Sequence, residues 1–345
     1  MTESIIACMS TLLGLTILSF FISIILLIPF IDFLYKAKIR RHDQVTKDMF
    51  DQHTPHFDRF HKWKVGTPIG GGILIIILTT ILTMWSYGIL SITTKFWELF
   101  VIFFAFIGYG LLGLYDDAKK LTNATELSTF YGLRFRHKFI IQWVLALIIA
   151  SVFYFQLGYS FLYVHGLGLI SIGPLFIPFA AFVIVSFVNA VNIADGLDGL
   201  ASGLLVICLV GFLAINSLQI DHPLGVFIAV LLGCLLAFLY FNIYKARIWM
   251  GDVGALSLGA ALAVIGLLTG KTLTLGVIGG VFVIEIGSSL IQILSKKYLK
   301  KKAFPAAPFH LFLQYRGWEE PKIVMRAWLV GIFFAILGVY LAFLT

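Results

Sequence analysis

Apolar runs long enough to cross a bilayer recur along the whole chain, and they limit its fold more than any other feature. Crossing roughly 30 Å of hydrocarbon takes about 20 apolar residues in a helix, since away from water only a helix or a closed barrel satisfies every backbone N–H and C=O. Such runs fall near 5–33, 69–91, 96–114, 139–160, 171–190, 200–218, 224–243, 254–270, 274–295 and 324–343. They predict an all-α polytopic membrane protein of about ten transmembrane helices, a single membrane domain over residues 1–345. With 60% of residues hydrophobic and only 12% charged, the composition lies outside the range of soluble domains. No basic segment precedes the first run, which therefore reads as a retained helix and not a cleaved signal. Cys8, Cys208 and Cys234 sit in apolar runs with neither metal nor disulfide spacing.

Charge orients the spans. Lys36, Lys38, Arg40, Arg41, Lys47, Arg59, Lys62 and Lys64 fall between the first and second, and Lys119, Lys120, Arg134, Arg136 and Lys138 between the third and fourth. Lys245 and Arg247 follow the seventh; Lys296, Lys297, Lys300, Lys301, Lys302, Arg316, Lys322 and Arg326 lie between the ninth and tenth. Of the 25 basic residues, only Lys95 and Lys271 are left for the other face. Cytoplasmic loops carry the lysine and arginine excess, so these loops are expected inside the cell and both termini outside. The net charge of +8 is then a cytoplasmic surface property, suited to anionic headgroups and requiring no nucleic acid.

The polar motifs gather on that same face. Asp116-Asp117 closes the third span, Asn189 to Asp198 follows the fifth, Asn242 to Asp252 follows the seventh, and His310 to Trp318 precedes the tenth. Carboxylates beside hydrocarbon are expensive and mark function by default. Adjacent Asp116 and Asp117 repel one another, and a divalent ion such as Mg²⁺, held by one or two carboxylates and substrate phosphates, would offset this. Asp252, with Asp195 and Asp198 on the same face, favours that reading over mere pairing with Lys119 and Lys120. Asp252 stands at a helix start, where an anionic phosphate is equally welcome. The glycines of Lys64-Val-Gly66-Thr67-Pro68-Ile-Gly70-Gly71-Gly72 either pack helices or cradle phosphate; the stretch lacks the ending of a Walker loop. His310 is a candidate general acid/base or phosphate contact. Glu285, deep inside the ninth run and followed by Gly287, Ser288 and Ser289, suggests a helix broken or closely packed there.

The ordered set of Gly66-Thr67-Pro68, Asp116-Asp117, Asn189-Ala-Val-Asn192, Asp195-Gly196-Leu-Asp198, Phe241-Asn242, Met250-Gly-Asp252, Phe282-Val-Ile-Glu285 and Gly317-Trp318 resembles the polyprenyl-phosphate N-acetylhexosamine-1-phosphate transferases. Within them it is most similar to the branch that moves phospho-N-acetylmuramoyl-pentapeptide. The resemblance implies ten transmembrane helices, often paired as a homodimer in the inner (cytoplasmic) membrane. It also implies a cytoplasmic site where a UDP-linked sugar donor meets undecaprenyl phosphate with Mg²⁺. Asp252 would hold the metal with Asp116 and Asp117 beside it, one of that pair deprotonating the lipid phosphate. Lys64, Thr67, Asn189, Asn192, Asp195, Gly196, Asp198 and Asn242 would line the nucleotide and phosphate pocket, with Lys120 and Lys138 near the donor phosphates and Trp249 stacking on uracil. Direct attack by the lipid and a two-step route through an aspartyl-phosphate both fit these residues. Where the branch usually carries three consecutive histidines, this chain has His310-Leu311-Phe312. A sister transferase using UDP-N-acetylglucosamine or a related sugar is therefore the alternative donor reading. A transporter or lipid flippase, which would spread its carboxylates across the membrane midplane, is the alternative of another class.

Overall fold

The computed structural model describes residues 2–41, 64–123, 135–164, 168–219 and 222–344; Lys47, Arg59, Lys62 and Arg134, counted above for orientation, lie outside them. The helices are α1 Thr2–Lys36, α2 Gly71–Ile89, α3 Phe96–Asn123, α4 Phe135–Phe155, α5 Phe176–Ala194, α6 Leu200–Gln219 and α7 His222–Asn242. They continue with α8 Gly251–Leu268, α9 Thr272–Ile278, α10 Gly280–Leu294, α11 Phe309–Tyr315 and α12 Glu320–Phe343. Among the described residues nine helices are long and apolar enough to cross a membrane, and α9 with α10 makes a tenth span if that bent pair counts as one.

Two details depart from the sequence reading. The chain is not purely α: the fourth predicted span ends at Phe155, and an antiparallel hairpin of β1 Phe161–Val164 and β2 Gly168–Ser171 follows it. β1 is rich in aromatic and β-branched residues, which suit a pleated surface better than a helix. The ninth span breaks, but at Gly279 with a bend of 83°, and the helix then runs unbroken through Glu285 and Ser289. A side chain at 279 would lie 2.6 Å from the Phe187 ring, so the bend is where the chain needs to pass close to α5.

The bundle is organised around α8, 89% of whose most apolar stretch is buried against 28% for the peripheral α1, α4 and α12. Lipid offers no hydrophobic drive between helices, so close packing and interhelical hydrogen bonds hold them. α8 supplies both. A Cβ at Gly113 of α3 would fall 2.2 Å from the Asp252 carbonyl oxygen, and one at Gly72 of α2 would fall 2.2 Å from the Gly254 Cα. Ser257 donates to the Phe106 carbonyl at 2.5 Å, a second tie between α8 and α3.

These contacts make α3 antiparallel to α8, and the consequence is polar asymmetry. Asp116 and Asp117 near the end of α3, Lys138 at the start of α4, Asp195 after α5, Asn242 at the end of α7, Asp252 at the start of α8 and Glu320 at the start of α12 all occupy one end of the bundle. Lys95 and Lys271 stand at the other, one helix length away, roughly 30 Å at 1.5 Å per residue. Both termini lie at that far end: Cys8 Sγ is 3.8 Å from His222 Nδ1 at the start of α7, and Tyr163 of the hairpin donates to the Leu344 carbonyl at 3.3 Å.

Candidate active site

Two linked clusters occupy the polar end. The first is built from α3, α4, α5 and α8. Lys120, one helical turn beyond Asp116, places its Nζ 2.8 Å from Asp252 Oδ2, 3.2 Å from Asp116 Oδ2 and 3.7 Å from Asp117 Oδ1. Lys138 reaches across from α4, 3.0 Å from Asp116 Oδ2 and in hydrogen-bond contact with Asp252 Oδ2. Asn192 donates to the other Asp252 oxygen at 3.2 Å. Asp117 Oδ2 accepts from the Val253 amide at 3.1 Å, the first-turn position where a helix favours a carboxylate. Gly251 permits this approach: its φ is 75°, and a Cβ there would sit 2.7 Å from Asp117 Oδ2.

The second cluster joins Lys64, the loop after α5 and the start of α12. Lys64 is fully buried, and its Nζ donates to Glu320 Oε1 at 2.6 Å and to the Gly196 carbonyl at 3.2 Å. Asp198 Oδ1 lies 3.3 Å from the same ammonium, an ion pair without hydrogen-bond alignment. Glu320 Oε1 also accepts from the Asp198 amide at 2.7 Å, and Asp198 Oδ2 from the Ala246 amide at 2.9 Å. Asn242 closes the far side, accepting from Ser202 Oγ at 2.6 Å and from the Gly199 amide at 3.2 Å while donating to the Ile248 carbonyl. Trp249 is buried, with Lys64 4.7 Å and Arg41 5.3 Å from its ring centre. Its indole N–H has no partner among the described residues.

His310 connects to this second cluster through Gly196. Its Nδ1 lies 2.9 Å from Glu285 Oε2, and a Cβ on Gly196 would come within 2.8 Å of its Nε2. Glu285 thus holds Nδ1 and leaves Nε2 turned toward the loop. Asp195, half-buried, is the carboxylate between the clusters. Burial raises its carboxyl well above the ordinary range, the negative charges of Asp252 and Asp117 raise it further, and Lys64 opposes them.

Asp116, Asp117, Lys120, Lys138, Asn192 and Asp252 are thus brought together, as are Lys64, Gly196, Asp198, Asn242, Trp249 and His310. Asn189 is not brought to the carboxylates: its amide donates to Gln142 Oε1 and the Val185 carbonyl, both at 2.8 Å, and ties α5 to α4. Thr67 contributes backbone, its carbonyl accepting from the Arg41 amide at 2.9 Å. The glycines at the start of α2 do not cradle an anion. The amides of Gly70 and Gly71 bond the Trp249 carbonyl and that of Gly72 bonds Met250, which fastens α2 to the segment before α8.

Glu320 and Arg41 were not singled out from the sequence. Glu320 reads there as an ordinary acidic residue at a helix start, where it would offset the helix dipole. Its sequence signal is no more than one of two adjacent acidic residues, Glu319 and Glu320, before Pro321.

No three of the described His, Cys, Asp and Glu side chains converge as a ready-made metal cage. Mg²⁺ does not require one, since it is usually held by one or two carboxylates, waters and substrate phosphates. The donors here are hard carboxylate oxygens, and two ammonium groups have already gathered on Asp116 and Asp252. The set fits a divalent cation.

A family model described as glycosyl transferase family 4 matches residues 99–270, the stretch from α3 to α8. A phospho-N-acetylmuramoyl-pentapeptide-transferase of Geobacillus sp. is 38% identical over 94% of this chain and 96% of its own length. The chain belongs to the phospho-N-acetylmuramoyl-pentapeptide transferase family. It is a membrane phosphoglycosyl transferase. A relative of the same description from Oceanobacillus iheyensis is 42% identical over 81% of this chain and 85% of its own length. One from Rickettsia canadensis is 37% identical over 81% and 80%. The matched stretch contains the first cluster whole, while Lys64, His310 and Glu320 lie outside it.

Proposed function

We propose that the protein transfers phospho-N-acetylmuramoyl-pentapeptide from its UDP donor to undecaprenyl phosphate, releasing UMP, at the cytoplasmic face of the inner membrane. The observation that carries the reading is the first cluster: three carboxylates and two lysines at one end of an apolar bundle, in a chain whose relatives of that description match almost end to end. A lipid phosphate oxygen attacks the sugar-side phosphorus of the donor, the bond to the bridging oxygen breaks, and that oxygen leaves with UMP. Such transfer needs positioning and charge neutralisation more than covalent chemistry. Lys120 and Lys138 would exchange their carboxylate contacts for donor phosphates. Asp116 or Asp117 would take a proton from the lipid phosphate. Asp252, with Asp116 and Asp117, would hold Mg²⁺, which when bound neutralises phosphate charge. The loop from Asn192 to Asp198, with Asn242, Lys64 and Trp249, would receive the nucleotide end. The basic loops at the polar end and both termini at the other support a cytoplasmic site with the termini outside.

The test is UMP release from purified protein given undecaprenyl phosphate, Mg²⁺ and a panel of UDP-sugars. Release with the N-acetylmuramoyl-pentapeptide donor is expected. Release only with UDP-N-acetylglucosamine would move the protein to a sister activity, and no release from a folded sample with any donor would defeat the reading.

A further inference from the structure

Glu320 makes no bond to the carboxylates and lysines around Asp252, yet it is 7% exposed and makes two short bonds with one oxygen. Its Oε1 takes the Lys64 ammonium at 2.6 Å and the Asp198 amide at 2.7 Å, and Lys64 in turn holds the Gly196 carbonyl. A single carboxylate at the start of α12 therefore fixes both sides of the Gly196–Asp198 turn, about 120 residues away in sequence. A carboxylate is not needed there to start the helix: Pro321 supplies the preset backbone, and Glu319 already offers a second acidic group. The alternative to a purpose is costly, because a buried cluster of one ammonium and two carboxylates leaves a negative charge imperfectly paired.

We propose that Glu320 is a positioning residue of the transferase, acting through Lys64 and the Asp198 amide to hold the donor-binding turn in its working shape. The inference rests on the functional reading above and extends it to α12. Lys64 already holds Glu320 and the Gly196 carbonyl by hydrogen bonds and Asp198 as an ion pair, so its first task is to shape the turn rather than to bind phosphate directly. The lysines and carboxylates around Asp252 are held by their own bonds from α3, α4 and α8. Loosening the turn therefore weakens donor binding more than it slows the transfer step.

Glu320→Gln keeps the shape and an accepting oxygen but removes the charge. In the UMP-release assay with full-length protein, its KM for the UDP donor is expected to rise about tenfold, with a smaller fall in kcat. Lys64→Met is expected to raise the donor KM as well, and the double variant to be no worse than Lys64→Met alone, because both remove one connection. An unchanged donor KM in Glu320→Gln, with only a lowered unfolding temperature, would reduce the residue to a structural brace and overturn the inference; so would strictly additive effects in the double variant. Should Glu320→Gln fail to fold, Glu320→Asp, which retains charge and shortens reach, carries the same KM test. Wild-type protein in the same assay separates the two claims: no turnover with any donor defeats the functional reading and this inference with it, whereas normal wild-type turnover beside an unmoved KM defeats the role of Glu320 alone.

Discussion

At the scale of single residues, Asp252 is the group on which most of the site converges. Lys120, Lys138 and Asn192 all bond its carboxylate, and each lysine keeps a second partner in Asp116. Asp252→Ala is expected to cut turnover by at least about 10²-fold while a detergent unfolding transition persists, since neither lysine is left buried alone. Near-normal turnover would exclude Asp252 from the chemistry. Glu285 is tested through His310: Glu285→Gln removes the charge facing Nδ1 and is expected to lower activity about ten- to a hundredfold without loss of fold. Asp195 carries a pH signature. In the unfolded chain its carboxyl ionises near the ordinary 3.8, whereas in the fold it keeps its proton to higher pH. Between those points the folded form binds more protons, so this group's contribution to stability falls as pH rises. Asp195→Asn removes the effect, and its unfolding temperature relative to wild type should climb as pH is raised from about 4 toward neutrality, measured without divalent cations. Parallel curves would show the carboxyl to be well solvated.

At the scale of elements, α8 sets the geometry, because α3 and α2 meet it backbone to backbone. Gly113→Ala forces a Cβ to within 2.2 Å of the Asp252 carbonyl oxygen, and the helices must part. A loss of about 1–3 kcal/mol is expected, with turnover falling too, since the same shift pulls Asp117 from the Val253 amide. Gly276→Ala in α9 is the control: nothing lies within 4 Å, and its stability should hold or rise slightly. Unfolding in detergent alongside UMP release distinguishes them. Elements of this kind were largely legible in the sequence, because a span is a long, repeated signal of the same physical origin. Where the signal is short it failed. The β1–β2 hairpin falls in the gap between the predicted spans 139–160 and 171–190, where no strand was expected, since four apolar residues read alike in strand and helix. Around Glu285 and Gly287 the sequence allowed either a break or close packing, and packing is what occurs there; the break lies at Gly279, where the requirement is the nearness of Phe187, a contact no local window contains.

At the scale of the whole molecule, the clustering of Asp116, Asp117 and Asp252 was legible because the loops that carry them share one end of the bundle with most of the basic residues. Pairings across the chain were not, and Glu320 with Lys64 and Asn189 with Gln142 are the examples, each decided by which helices become neighbours. The orientation of the bundle in the membrane can be read at its two ends. Lys95, with 80% of its side chain exposed, stands at the end of α3 away from Asp116, and Lys301 is exposed in the basic segment between α10 and α11. The native cysteines are all buried, so a thiol introduced at either place reports against a low background. If lysine and arginine mark the inside, Lys95→Cys reacts with a membrane-impermeant maleimide on intact cells, while Lys301→Cys reacts only after the membrane is opened. The reverse pattern would turn the carboxylate end outward, away from the cytoplasmic pool of nucleotide donors, and the proposed reaction could not proceed there. Labelling of both sites on intact cells would mean that the polar end is not sealed from the far side by the bundle, and the alternating-access chemistry of a transporter would regain its case.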